Sequence, residues 1–157
     1  MSIEKVRTYF KTFGKEHDIL EFEESSATVK LAAEALNCEE GRIAKTLSFH
    51  GPEQVLLIVA AGDRKIDNAK YKARFHTKAK MLGAEEVETL TGHAVGGVCP
   101  FANPEGVEVY LDDSLKEYQT VFPACGSGNS AIELTPDQLF DYAAAKGWVD
   151  VCKAQER

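Results

Sequence analysis

The sequence predicts an α+β domain spanning residues 1–157: a mixed, mostly antiparallel sheet with helices packed on its outside. Three observations carry this. A chain of 157 residues is the length of one domain and can bury about two-thirds of its surface. Its 44% hydrophobic and 27% charged content is that of an ordinary globule. Strand-like and helix-like segments alternate along it, but hairpin connections outnumber plausible crossover helices, which argues against a doubly wound parallel sheet.

The elements follow in order. Ile3, Val6, Phe10 and Phe13 recur at helical spacing, so residues 2–13 read as an amphipathic helix ended by Gly14. Ile19 to Glu23 reads as a short strand. Ser25 or Ser26 caps an alanine-rich helix running to Leu36. Arg42 to His50 and the apolar run Gln54 to Ala61 read as strands joined by a Gly51-Pro52 turn. Asp67 caps a short helix to Phe75. Ala84 to Leu90 reads as a helix whose Glu85 and Glu86 suit its N-terminus. Val107–Leu111, Thr120–Cys125 and Ser130–Leu134 read as strands. Thr135-Pro136-Asp137-Gln138 is a capping box with proline in the first turn, opening a helix that runs to Lys146 and stops at Gly147.

Charge and cysteine usage narrow the function classes. The net charge of −7 argues against broad, non-specific nucleic-acid binding and against DNA as a partner. Between Arg64 and Lys80, however, stand seven basic residues and one acid, Asp67. That segment is +6 and the rest of the chain −13. It reads either as a solvated helix face or as a patch that steers phosphates, with Lys65, Lys70 and Lys72 as candidate phosphate contacts. Cys38, Cys99, Cys125 and Cys152 are far apart in sequence. They suit reduced thiols better than a disulfide framework or a zinc site. No apolar run approaches the ~20 residues that span a bilayer, and the N-terminus lacks a signal-peptide pattern, so a cytoplasmic protein without a membrane partner is expected.

Two segments point to chemistry. Gly96-Gly97-Val98-Cys99-Pro100 places a glycine pair before a proline, a poor core element but a good loop for close backbone approach. Its N–H groups would suit an oxyanion. In the Arg42–His50 strand, Ile43, Lys45, Leu47 and Phe49 share a face, so Lys45 interrupts an apolar row. It either snorkels from the edge or projects its cation into a cleft. Thr46 faces the other way. Gly126-Ser127-Gly128-Asn129 is a glycine-rich turn between strands, without the strand-to-helix elbow of a serine hydrolase. Cys99 invites a nucleophile reading, but no signature pairs it with a histidine. His93 flanks the loop and can hydrogen-bond within it. The four histidines show no metal-ligand spacing, and Asp112-Asp113 suits a strand-end turn better than a metal.

Gly41-Arg42-Ile43-Ala44-Lys45-Thr46-Leu47 together with the Gly96–Pro100 loop resembles the YbaK and prolyl-tRNA synthetase editing-domain family of aminoacyl-tRNA deacylases, from about Ser25 to Tyr142. The resemblance implies a barrel-like mixed sheet flanked by helices. It implies hydrolysis of the ester of a mischarged tRNA, acting in trans, with no metal and no organic cofactor. The 3′-terminal aminoacyl-adenosine would be the partner, with Lys65, Lys70 and Lys72 as candidate tRNA contacts, and prolyl-tRNA synthetase an associated partner. It assigns Lys45, Gly96 and Gly97 to catalysis and Thr46, His93, Val98, Pro100, Gly126 and Ser127 to substrate binding. Alanine, cysteine or serine on a proline tRNA is the implied substrate. Asp18 to Thr28, which shapes the family's pocket, carries no matching motif and leaves specificity open. The competing readings are a non-catalytic ligand- or tRNA-binding module of the same fold, and a thiol hydrolase using Cys99.

Overall fold

A computed structural model describes residues 2–51, 53–93 and 97–155. Five α-helices and nine strands appear among them: α1 Ser2–Lys11, β1 Leu20–Glu21, α2 Val29–Leu36, β2 Ile43–His50, β3 Val55–Ala61, β4 Arg64–Ile66, α3 Asn68–Phe75, α4 Ala84–Thr91, β5 Glu108–Asp112, β6 Phe122–Pro123, β7 Ser130–Ala131, α5 Pro136–Tyr142, β8 Gly147–Val149 and β9 Cys152–Ala154. The α+β class is as the sequence predicts.

The central sheet runs β6-β2-β3-β5-β8, and β1-β7 and β4-β9 form two small sheets. Pairing is more evenly mixed than expected. β2-β3, β1-β7 and β4-β9 are antiparallel, while β2-β6, β3-β5 and β5-β8 are parallel. The antiparallel β2-β3 ladder is the longest, from Ala44↔Ala61 to His50↔Val55. β3 is buried almost throughout, as a central strand covered on both faces must be. Leu57, Val59 and Ala61 face a core with Val6 and Phe10 of α1 and Leu139 of α5. Leu56, Ile58 and Ala60 face a second core with Phe49, Tyr71 of α3, Val151 and Cys152.

Several boundaries move, each for a local reason. The cap of α2 is Thr28, whose Oγ1 accepts from Leu31 N at 3.1 Å, rather than Ser25 or Ser26. Those serines instead reach toward the Gly128 carbonyl. The segment read as one basic helix face contains β4 before α3, because Asp67 takes Ala69 N and Lys70 N at 3.0 and 3.1 Å and starts the helix there. α5 stops at Tyr142, short of Lys146. Ala144 adopts φ +49°, and Lys146 N donates to Val109 O at 2.7 Å, which sets the chain on course for β8. The short strands β4, β8 and β9 have no pattern of their own and exist through their partners.

Candidate functional site

The site follows from the uneven edge of β2. On one side β2 is fully paired with β3. On the other it meets β6 only at Ile43 and Ala44, and Met81 only at Phe49. Ser48 O accepts from Leu82 N at 3.1 Å and His50 N donates to Lys80 O at 2.8 Å, both on the outer edge. Alternation along the ladder therefore turns the N–H and C=O of Thr46 outward too. Between β6 and Met81 they face a cleft of about 470 Å³, within the range of small-ligand sites.

Ser26 to Val29 and Ala32 of the α2 region wall one side of the cleft. Met81, Leu82, Ala84 and Val87 wall another, and Val98, Phe122, Ala124, Ser130 and Ala131 complete it around Ile43 to Ser48. The lining is apolar and small. Among the described residues Lys45 is its only charged side chain, and it holds no carboxylate, histidine or cysteine.

Lys45 lies opposite Ala60, on the strand face shared with Leu47 and Phe49, as the alternation predicts. Its stem borders the cleft, and Nζ donates to the carbonyls of Arg64 and, at 3.5 Å, Gly62. Burial lowers its pKa, while Cys152 and Asp63 nearby oppose that shift. An ammonium has three donors, so one remains for a ligand. Thr46 Oγ1 is buried at the cleft with no hydrogen-bond partner. Such an orphaned hydroxyl is costly unless something bonds it.

Gly96 lies outside the described residues. Gly97 is buried and packs on the turn after Cys125. A Cβ there would stand 2.9 Å from Ser127 Cα and 3.0 Å from the Gly126 carbonyl carbon and oxygen. Gly126, at φ +93°, makes that turn possible. Ser127 Oγ bonds Asn129 Oδ1 at 2.9 Å and Ser130 Oγ at 2.8 Å, and Asn129 Nδ2 donates to Phe22 O at 2.9 Å. Gly126 and Ser127 thus sit behind the cleft and hold Ser130 and Val98 in its wall.

Pro100 and His93 are buried and are not among the lining residues. His93 Nε2 donates to Phe101 O at 2.9 Å, since a carbonyl only accepts. That fixes Nδ1 as an acceptor, which is buried without a partner. Burial lowers the pKa of His93. His93 therefore braces the end of the loop, and substrate contact is not its place. Cys99 Sγ is 3.6 Å from His93 Nε2, a pairing invisible in the sequence. It is not a nucleophile–base pair: Cys99 is fully buried, its pKa is pushed up to about 12, and the nitrogen facing it already carries a proton. Asp112 uses its oxygens on Ser114 N and Val151 N, each at 2.9 Å, as a structural strut.

Ser130, Val29, Ala124 and Met81 enter the cleft without any signal in the sequence. The Asp18–Thr28 region, expected to shape the pocket, contributes Ser26 to Thr28. Of the candidate tRNA contacts, Lys70 bonds Asp150 at 3.0 Å, and Lys65 pairs across β4-β9 with Lys153.

Known proteins resemble this chain in structure or in sequence. A crystal structure of "a putative trans-editing enzyme for prolyl tRNA synthetase" superposes with a TM-score of 0.87 at 30% identity, covering 98% of each chain. The "Uncharacterized protein YwhH" of Bacillus subtilis (strain 168) is 57% identical over 157 residues, 99% of this chain and all of that one. The proline--tRNA ligase of Caldicellulosiruptor saccharolyticus is 26% identical over 122 residues, 76% of this chain; the match spans only 20% of the ligase. The model of the aminoacyl-tRNA editing domain matches residues 23–142, which include β2, the loop and the whole described cleft lining, and by that match the chain belongs to the aminoacyl-tRNA editing domain family.

Proposed function

We propose that this chain is a trans-acting aminoacyl-tRNA deacylase that hydrolyses a small, uncharged amino acid from a mischarged tRNA, with alanine, cysteine or serine on a proline tRNA as first candidates. The observation that carries this reading is the cleft itself: a small apolar chamber beside an open strand edge, with one cation among its described residues. The ester is already activated, so positioning and oxyanion stabilisation suffice. Water attacks the carbonyl carbon, the bond to the ribose oxygen breaks, and that oxygen leaves with a proton. With no carboxylate, histidine or cysteine in the described lining, the proton acceptor is the substrate's neighbouring ribose hydroxyl or a second water. Lys45 anchors the aminoacyl-adenosine end, Gly96 and Gly97 present backbone donors to the carbonyl, and Val98 and Thr46 bound the side-chain space. A small pocket selects by admitting what a synthetase cannot exclude.

The absence of a general base from the described lining also favours the second reading, a binding module that holds the aminoacyl end without turnover. One experiment separates them. Purified protein is incubated with alanyl-, cysteinyl-, seryl- and prolyl-tRNA of the proline isoacceptor, with Lys45→Met alongside. Release of one mischarged amino acid, reduced at least 100-fold in Lys45→Met while its melting temperature holds, supports the deacylase. Retained binding with no release from any substrate supports the module. Full activity in Lys45→Met would refute the role of Lys45.

A further inference from the structure

The basic segment is not one face. In α3, Tyr71 and Phe75 point into the sheet. Lys70 and Arg74, four residues apart, share a flank directed at β5 and the end of β8: Lys70 Nζ meets Asp150 Oδ1 at 3.0 Å, and the Arg74 guanidinium lies 5.4 Å from the centre of the Tyr110 ring. At 100° per residue, Lys72 lies about 200° from Lys70, on the opposite flank. Lys72 is exposed there, away from Asp150. From there the chain carries exposed Lys78 and Lys80 directly to Met81, a cleft residue held to Phe49. At the other end of the run, Arg64 O receives Lys45 Nζ, and Lys65 stands opposite Lys153 in β4-β9. Like charges placed cross-strand destabilise a sheet. Arg64 and Ile66 turn to Glu117 and to the second core, so Lys65 and Lys153 turn outward. Among the described residues none of Lys65, Lys72, Lys78, Lys80 and Lys153 makes an ion pair. Exposed carboxylates stand in both walls' elements, Glu23, Glu24 and Glu34 around α2 and Glu85 and Glu88 on α4, while Glu39 and Glu40 share a pocket with Arg64 and Ala154 beside β4-β9.

We propose that Lys72, Lys78 and Lys80, extended by Lys65 and Lys153, form a strip that binds the phosphodiester backbone of the RNA whose 3′ end enters the cleft, and that Lys70 and Arg74 lie off this path. The proposal rests on the deacylase reading for what enters the cleft. The carboxylates of the α2 region and of α4 repel a polyanion, which confines the acceptor stem to the lysines of α3 and the segment that follows it. This resolves how a chain of net charge −7 takes a nucleic-acid substrate: a narrow basic track on a repelling body limits binding to one orientation.

The test uses the whole chain and an unacylated acceptor-stem minihelix ending in CCA, with affinity followed by fluorescence anisotropy from 50 to 200 mM salt. The triple variant Lys72→Gln, Lys78→Gln, Lys80→Gln is expected to bind about tenfold or more weakly at low salt. Its log–log salt slope is expected to flatten by about 2 to 3, since each phosphate left without its lysine lowers the slope by about 0.9. The double variant Lys70→Gln, Arg74→Gln is expected to keep the wild-type slope. Wild-type affinity and slope in the triple variant, or an equal loss in the double variant, overturns the strip. A parallel measurement of aminoacyl-adenosine hydrolysis keeps the two readings apart. Equal turnover by wild type and triple variant shows that the strip acts on the RNA body and not on the chemistry, whereas a wild type inert on every ester refutes the deacylase and leaves the binding data to decide the strip.

Discussion

Gly97→Ala isolates the contact that shapes the cleft wall. The added Cβ would lie 2.9 Å from Ser127 Cα and 3.0 Å from the Gly126 carbonyl carbon and oxygen. Carbon–carbon contacts settle near 3.5–4.0 Å, so the loops must part by roughly 0.5–1 Å. Neither side yields easily. All three opposing atoms are backbone, and the 126–130 turn is held by Ser127–Ser130, Ser127–Asn129 and Asn129–Phe22 hydrogen bonds. Overpacking of this kind costs about 1–3 kcal/mol, which in a chain of this size lowers Tm by roughly 2–12 °C. The same displacement moves Val98 and Ser130, both in the wall, and a shift near 1 Å can cost on the order of 100-fold in rate. Thermal unfolding and kcat/KM on the mischarged tRNA are read together, with Gly147→Ala as control because nothing lies within 4 Å of its added carbon. If Gly97→Ala keeps its Tm within about 1 °C and its kcat/KM within about twofold, the Gly97–Ser127 contact does not govern the cleft and the reasoning fails.

Other expectations follow from single groups. Thr46→Val removes a buried hydroxyl that has no partner, so stability should hold or rise by up to about 1 kcal/mol while activity falls; a marked loss of stability would show that the hydroxyl is satisfied in the free protein. His93 has a lowered folded pKa, so as pH falls below about 6.5 the unfolded chain takes up a proton that the folded one refuses, and stability declines by at most about 1.4 kcal/mol per pH unit. His93→Gln should flatten denaturation midpoints measured between pH 6.5 and 5, and an unchanged pH dependence would exclude His93 as the source. Thr135→Ala removes the cap of α5, which accepts from Gln138 N at 3.1 Å, and should lower Tm by about 2–4 °C with activity intact, because α5 does not line the cleft. An equal fall in activity would mean that α5 helps place the site.

What the sequence determined by itself was local. The period of β2 put Lys45 on one face and Thr46 on the other, Asp67 and the Thr135–Gln138 box started their helices, and Gly97 before Pro100 marked a point of close approach. Each of these rests on neighbours within a few positions, where sterics and capping act directly. Tertiary structure decided the rest. β4, β8 and β9 are three residues each and take strand form only because Lys153, Tyr110 and their neighbours supply the other half of the ladder. The sequence lets His93 hydrogen-bond within the loop it flanks, as it does to Phe101, but only the fold encloses it with Phe101 and Cys99 in the core. Lys70 and Lys72 are two positions apart and equally basic, but 200° of helix turns one toward Asp150 and leaves the other exposed on the far flank. The cleft itself has no motif because it is a gap. It exists where β6 stops pairing with β2 and Met81 has not yet begun, a property of how distant segments meet.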